Sequence, residues 1–328
     1  MKVLITGATG FLGSRTLEEL ILDSQVTHIV ATGRTLTKDR VIDNSKIKYI
    51  LGDLSDYNFV RSLFECQFDV IINTASLSSP WGNEKDFEEA NVLTQRNLIE
   101  FSKKHGVKKF IYISSPSIYF NGKDRLDVNE NQIPEYFANH YARTKRQAEL
   151  HLINSGLRYI ILRPRAIIGR GDRVIMPRLI NAHKAGKLKI IGKGNNIADL
   201  TSVSNVVQAV LLAINASDKA INETYNITND DPVILWDSIN YVLKKLNKKE
   251  VTKRVPFSVA YIAAFISETY ASYISKNEPA LTRYGVGVLA KSFTLDITKS
   301  KEKLKYQPNT STMESIQEFV NWYINDEN

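Results

Sequence analysis

The stretch that decides the fold stands at the start of the chain: Lys2-Val-Leu-Ile-Thr6, then Gly7-Ala8-Thr9-Gly10-Phe11-Leu12-Gly13, then an amphipathic run to Leu22. The first five residues read as a strand and the run from Leu12 as a helix. The three glycines between them each answer a physical need. Gly7 permits the tight turn, Gly10 lets backbone amides approach a pyrophosphate, and Gly13 lets helix and strand pack closely. The helix N-terminus adds unpaired N–H groups and a positive dipole end. A strand before and a helix after are what separate a dinucleotide loop from a chance glycine triplet.

Outward from this loop, short apolar runs alternate with longer amphipathic ones. Val3–Thr6, His28–Thr32, Ile47–Leu51, Val70–Asn73, Lys109–Ser114 and Tyr159–Leu162 are predicted strands. Leu12–Leu22, Tyr57–Phe64, Asp86–His105 and His140–Asn154 are predicted helices. Such alternation implies right-handed crossovers and a parallel sheet, hence a doubly wound α/β (Rossmann) fold. After Pro164 the pattern becomes irregular, although Thr224–Ile227 reads as a strand that rejoins the sheet. The expected organisation is a dinucleotide-binding core over 1–163, rejoined by 200–228, and a smaller, mostly C-terminal substrate-binding region over 164–199 and 229–328.

Composition is that of an ordinary globular protein: 328 residues, 43% hydrophobic and 24% charged. Cys66, the single cysteine, excludes an internal disulfide framework, fits a reducing, cytoplasmic setting, and reads as a small core residue in a helix-like run from Phe59 to Phe68. The net charge of +8 is scattered in short clusters near helix ends, with no aromatic-interleaved basic stripe, so no nucleic-acid partner is expected. Because the sequence opens on a strand, no leader peptide is expected. The most apolar late stretch, Val255–Ile266, is too short to span a bilayer and reads as a packed helix, with a membrane-surface or lid role as the alternative. No metal site is expected.

In a dinucleotide-binding fold of this kind, an acid normally ends the second strand and holds the ribose 2′-OH of NAD. Here that strand ends in Gly33-Arg34, with Lys38 following, and a guanidinium suits a 2′-phosphate where a carboxylate would repel it. The sequence therefore favours NADP(H) over NAD(H); the alternative for Arg34 is a solvated loop residue. Asp53 with Leu54 after the third strand, and Asn73 to Ala75 after the fourth, fall at the carboxyl edge where ligands bind. The Asp53 carboxylate can accept from an adenine amino group there.

Tyr141-Ala-Arg-Thr-Lys145 places a phenol and an ammonium one helical turn apart on one face. A tyrosine with pKa near 10 is a poor proton carrier at neutral pH, and an adjacent cation favours its phenolate. The same ammonium can hold the nicotinamide ribose. Ser114, Ser115 and Ser117 put hydroxyls at the end of the fifth strand, where one can hold a substrate oxygen; the alternative for them is turn chemistry.

With loop, serine-rich strand end and Tyr/Lys helix in this order, the whole chain resembles an extended short-chain dehydrogenase/reductase of the NAD(P)-dependent epimerase/dehydratase superfamily. Thr6–Gly13, Asp53-Leu54, Asn91-Val92, Asn97-Leu98, and Tyr141 with Lys145 match that family's motifs. The resemblance implies Ser115 as the catalytic hydroxyl beside Tyr141 and Lys145. It adds Thr9, Phe11, Leu12 and Asn91 to the cofactor-binding set and puts Pro164 near the nicotinamide. Asp199–Asn205 and Asp296–Tyr306 are similar to further signatures of the extended type. Arg163-Pro164-Arg165 and Pro279–Val286 look most like the 3β-hydroxysteroid-dehydrogenase-like branch. One departure is Tyr119-Phe120-Asn121-Gly122, where the family usually has glycine straight after the tyrosine. Another is Gly33-Arg34, which speaks against an epimerase with permanently held NAD.

The expected activity is NADP(H)-dependent interconversion of a ketone and a secondary alcohol on a largely apolar substrate, 3β-hydroxysteroid-like or 3-keto-acid-like. A nucleotide-sugar epimerase or dehydratase with tightly bound NAD is the alternative, and a non-catalytic NADP-binding regulator the second. The family resemblance implies a homodimer through the helices at Asp86–His105 and His140–Asn154. The Trp81 loop, Arg170–Pro177 and Ala260–Gly287 are expected to shape the substrate pocket.

Overall fold

The computed structural model describes residues 1–275 and 277–327; Lys276, inside the Ala260–Gly287 stretch, and Asn328 lie outside the described residues. Seven strands form one fully parallel sheet: β1 (Lys2–Thr6), β2 (His28–Thr32), β3 (Ile47–Tyr49), β4 (Val70–Asn73), β5 (Lys109–Ile113), β6 (Tyr159–Pro164) and β7 (Glu223–Ile227). Their order is β7-β6-β5-β4-β1-β2-β3, so the connections reverse between β1 and β4 and open a crevice at the carboxyl edge. β7 lies parallel beside β6, from Glu223 opposite Ile160 to Ile227 opposite Pro164.

Alternation along each strand divides the core. Val3, Ile5, Val70, Ile72, Ile111, Ile160 and Leu162 face α1 (Phe11–Leu20) and the later helix Val203–Ile214. Leu4, Ile71, Phe110, Tyr112 and Ile161 face the other way, towards α2 (Tyr57–Leu63), α3 (Thr94–Lys104) and α4 (His140–Ile153). Each fully buried Ile or Leu contributes about 1.5–3 kcal/mol, which makes both faces obligatory. The predicted helix Asp86–His105 is interrupted: Glu84–Phe87, a π-helical segment Glu88–Leu93 and α3 run on in sequence. The extra residue of the π-turn carries Asn91 inward, a distortion common at functional sites.

A second core gathers Met176, Ile180, Leu235, Trp236, Ile316 and Phe319 from the later part of the chain. A small sheet is ordered Val233–Ile234, Ile197–Ala198, Phe293–Leu295, Arg125–Val128. Arg125–Val128 falls within the first 163 residues, yet it pairs with Phe293–Leu295. Cys66 is exposed in the turn after α2, which ends at Leu63, so its reading as a core residue is corrected.

The apolar late stretch is also corrected. It forms a helix, α5 (Phe257–Tyr270), but buries only Ala260, Ala264 and Glu268. This stripe of small side chains lets α5 approach α6 (Arg283–Ala290), where Glu268 accepts from Arg283 N at 2.7 Å. Val259, Tyr261, Ile262, Phe265 and Ile266 remain exposed on its other sides. Among the described residues no helix is long and apolar enough to cross a membrane.

Candidate active site

The glycine loop has the shape its sequence requires. Gly7 takes φ +66°, and a Cβ there would stand 2.7 Å from Ala75 N. At Gly13 a Cβ would meet Gly7 O at 2.1 Å, so helix and strand touch backbone to backbone. Gly10 caps α1 with no side-chain hydrogen bond, and the first turn holds no acid, so the helix end is available to an anion. This cradle fits a pyrophosphate. Leu12 is core, and Phe11 lies at Gly171, where an added Cβ would meet its ring at 3.4 Å. The segment after β6 thus folds over the loop, tied by an Arg170–Glu18 ion pair.

At the end of β2, Gly33 is set by contact: a Cβ would lie 2.4 Å from Thr9 Oγ1. Arg34 and Lys38 are exposed there. Arg40, which sequence reasoning did not single out, donates from Nη1 to Thr9 O. Nothing in its surroundings in the sequence separates it from other loop cations. Asp53 accepts from Ser55 N and Oγ, both at 2.8 Å, and these bonds, with Arg34 nearby, hold its carboxyl below the usual range. Leu54 is core, and its carbonyl accepts from Asn97 Nδ2 at 3.1 Å.

Two buried amides act within the protein. Asn73 accepts from Thr6 Oγ1 at 2.6 Å and from Ala75 N at 3.1 Å, and donates to Gln95 at 2.6 Å. Asn91 accepts from Leu77 N at 2.8 Å and donates to Thr144 Oγ1 at 3.0 Å. It therefore joins the loop after β4 to α4.

α4 begins at Asn139, whose side chain accepts from Ala142 N at 2.9 Å, so Tyr141 sits in the first turn. Among the described residues no hydrogen bond engages the Tyr141 hydroxyl, while Tyr112 and Tyr284 lie within its electrostatic reach. Lys145, one turn on, is buried; Nζ donates to Ile113 O at 2.6 Å and lies 4.2 Å from the Tyr112 ring centroid. Burial pulls it down to about 7, opposed by Glu149. Among the described residues no hydrogen bond joins it to the Tyr141 hydroxyl. Of the three serines at the end of β5, Ser114 and Ser117 are buried and Ser115 alone is half-exposed; its Oγ accepts from Ser117 N at 3.2 Å.

Beneath these groups lies a closed polar network. Arg163 donates to both oxygens of Glu149, at 2.8 and 2.7 Å, and to the hydroxyl of Tyr119; Tyr119 donates to Asn226 at 2.8 Å. Arg163 holds the Glu149 carboxyl down against burial, and Glu149 pushes Arg163 up. Pro164 ends β6 next to this network. Room for Phe120 comes from Gly287 of α6, where a Cβ would lie 2.7 Å from its Cζ, and the ring meets the Tyr284 ring edge-on at 5.4 Å.

A parallel sheet with its crevice at β1/β4, a glycine cradle, and a Tyr/Lys helix beside it define an NAD(P)-dependent oxidoreductase. A family model for the NAD dependent epimerase/dehydratase family matches residues 3–228. The chain is 32% identical to the sterol-4-alpha-carboxylate 3-dehydrogenase, decarboxylating, of Candida albicans, over 99% of this chain and 98% of that one. It is 30% identical to a 2-alkyl-3-oxoalkanoate reductase of Shewanella oneidensis, over 95% and 84%. The fold is shared with a UDP-glucose 4-epimerase of Thermotoga maritima solved with UDP-glucose, at TM-score 0.78 and 22% identity, both chains covered in full. The chain belongs to the NAD dependent epimerase/dehydratase family, on its 3β-hydroxysteroid-dehydrogenase-like branch.

Proposed function

We propose that the protein is an NADP(H)-dependent oxidoreductase that interconverts a ketone and a secondary alcohol on a largely apolar substrate, 3β-hydroxysteroid-like or 3-keto-acid-like. The observation that carries this reading is the free Tyr141 hydroxyl on a capped helix above buried Lys145, with Ser115 the one open serine at the adjoining strand end. Bound nicotinamide supplies or accepts the hydride. Tyr141 gives its proton to the carbonyl oxygen in reduction and takes one from the hydroxyl in oxidation. Ser115 donates to the same oxygen, and the Lys145 ammonium favours the phenolate and holds the ribose.

Gly7, Gly10, Gly13 and the first-turn amides of α1 would take the pyrophosphate, with Thr9, Phe11 and Leu12 around it. Asp53 and Leu54 would border the adenine, Asn73 to Ala75 the ribose, and Pro164 the nicotinamide, while Asn91 keeps α4 in place. Arg34 and Lys38 would hold the 2′-phosphate, and Arg40 adds a third cation. A cytoplasmic setting, supported by one exposed free cysteine, and a homodimer through the helical stretches Asp86–His105 and His140–Asn154, where Leu93 and Leu150 are exposed, complete the proposal.

The test follows NADPH and NADH oxidation with ketones of graded chain length, a steroid ketone and a nucleotide sugar. Ketone-dependent turnover that grows with apolar length is expected, with NADPH bound at least about 10-fold tighter than NADH, or about 1.4 kcal/mol, and Arg34→Ala narrowing that gap. Turnover of the nucleotide sugar with a cofactor that survives gel filtration would overturn the reading. Equal affinities would overturn its NADP part.

A further inference from the structure

α5 and the π-helical turn that continues it, Ala271–Ser275, hold a single charged residue, Glu268, and it is turned inward to Arg283. Ala260 and Ala264, one turn apart, face the protein. The opposite side of the helix therefore carries Val259, Ile262 and Ile266, with Phe265 at its margin, all more than half exposed. Tyr273 and Ile274, in the turn that follows, are exposed as well. A helix facing water ordinarily carries charge on its outer side, as α3 does with Arg96, Glu100 and Lys103. The outer side of α5 has none, which marks an unpartnered surface.

Cations gather at the start of this helix. Arg254–Val255, just before it, pairs with Ile190–Ile191, and Ile190 N donates to Lys253 O at 2.9 Å, so the segments 187–193 and 248–254 come together there. They carry seven lysines and arginines against one acid, Glu250. Lys187, Lys189, Lys253 and Arg254 are exposed and have no ion pair among the described residues. Glu278, beyond the π-helical turn, is engaged by Arg178 at 3.2 Å. A second copy of the chain seated on the apolar side would bring two such cationic clusters together, and like charges repel. The headgroups of an anionic bilayer instead supply the missing charge, acting over about 10 Å. No described helix is long and apolar enough to cross a bilayer, so α5 would lie in the plane of its interface. We propose that α5 docks the protein on an anionic lipid surface, with Val259, Ile262, Phe265 and Ile266 inserted and the cluster around Lys253 held by headgroups. This docking is independent of the reaction proposed at Tyr141.

The experiment is co-sedimentation of the full chain with vesicles of phosphatidylcholine alone and of phosphatidylcholine with phosphatidylglycerol in equal parts, alongside sedimentation velocity without vesicles. The wild type is expected to bind the anionic vesicles at least about 10-fold tighter than the neutral ones, and to be released by added salt. Ile262→Ser with Ile266→Ser should weaken that binding at least about 10-fold, with the unfolding midpoint unchanged because both side chains already face water. Lys253→Gln should weaken it about 5-fold, and this keeps the test open should the serine variant not fold. Equal binding to the two kinds of vesicle, binding to neither, or binding undiminished in either variant overturns the proposal. So does a wild-type dimer that the two serines split into monomers, which would assign the face to a second copy.

Discussion

Two arginines, Arg163 and Arg165, leave the same strand two residues apart, and they belong to different regions. Arg163 lies in the floor of the site, where every strong donor meets an acceptor: Glu149 twice, Tyr119 and a carbonyl of Glu130. The mouth holds Tyr141 and the half-exposed Ser115, while Arg165 is buried against the Phe293 ring with no side-chain hydrogen bond among the described residues and its Nε without a partner. A buried polar group that is complete within the protein fixes shape, and one left incomplete costs stability. The floor anchors α4 to β6 and β7, and so fixes where Tyr141 stands.

The comparison breaks most easily at Arg163. Arg163→Met takes the two-pronged partner from the Glu149 carboxylate, leaving it Arg146 at 2.9 Å, and should cost about 3 kcal/mol of unfolding free energy, read by urea denaturation. Replacing both partners by Arg163→Met with Glu149→Leu should recover most of that loss; a double variant as unstable as the single would show that the pair itself is not what matters. A smaller effect is expected at Asn91, which joins floor to mouth. Asn91→Ala should cost about 1–3 kcal/mol of stability through its unpaired neighbours and lower kcat by about 10-fold as α4 shifts. A change in stability with kcat intact would confine Asn91 to the floor.

How much of this was legible in the sequence differs between the two regions. The glycine loop, the strand positions and the Tyr141–Lys145 spacing obey local rules, and the structure follows the strand ranges to within a residue or two at most ends. The floor was not legible, because Glu149, Tyr119, Asn226 and Glu130 are brought to Arg163 from four separate segments. Nor was the π-turn around Asn91, since helical periodicity cannot register one extra residue. The exposure of α5 escaped for a related reason: an apolar run reads as buried, whereas its alanine stripe alone makes the contact. Phe120 looked like an anomaly until Gly287, far along the chain, proved to make room for it.

The central claim is that Tyr141 does chemistry and holds nothing together. Single-turnover hydride transfer in Tyr141→Phe, measured alongside NADPH affinity and the unfolding midpoint, tests it most directly. General acid–base catalysis supplies about 10²–10⁴-fold, so the rate should fall by at least the lower figure while affinity and midpoint stay at the wild-type values. Transfer at the wild-type rate, or a midpoint that drops as far as that of Arg163→Met, would contradict the account.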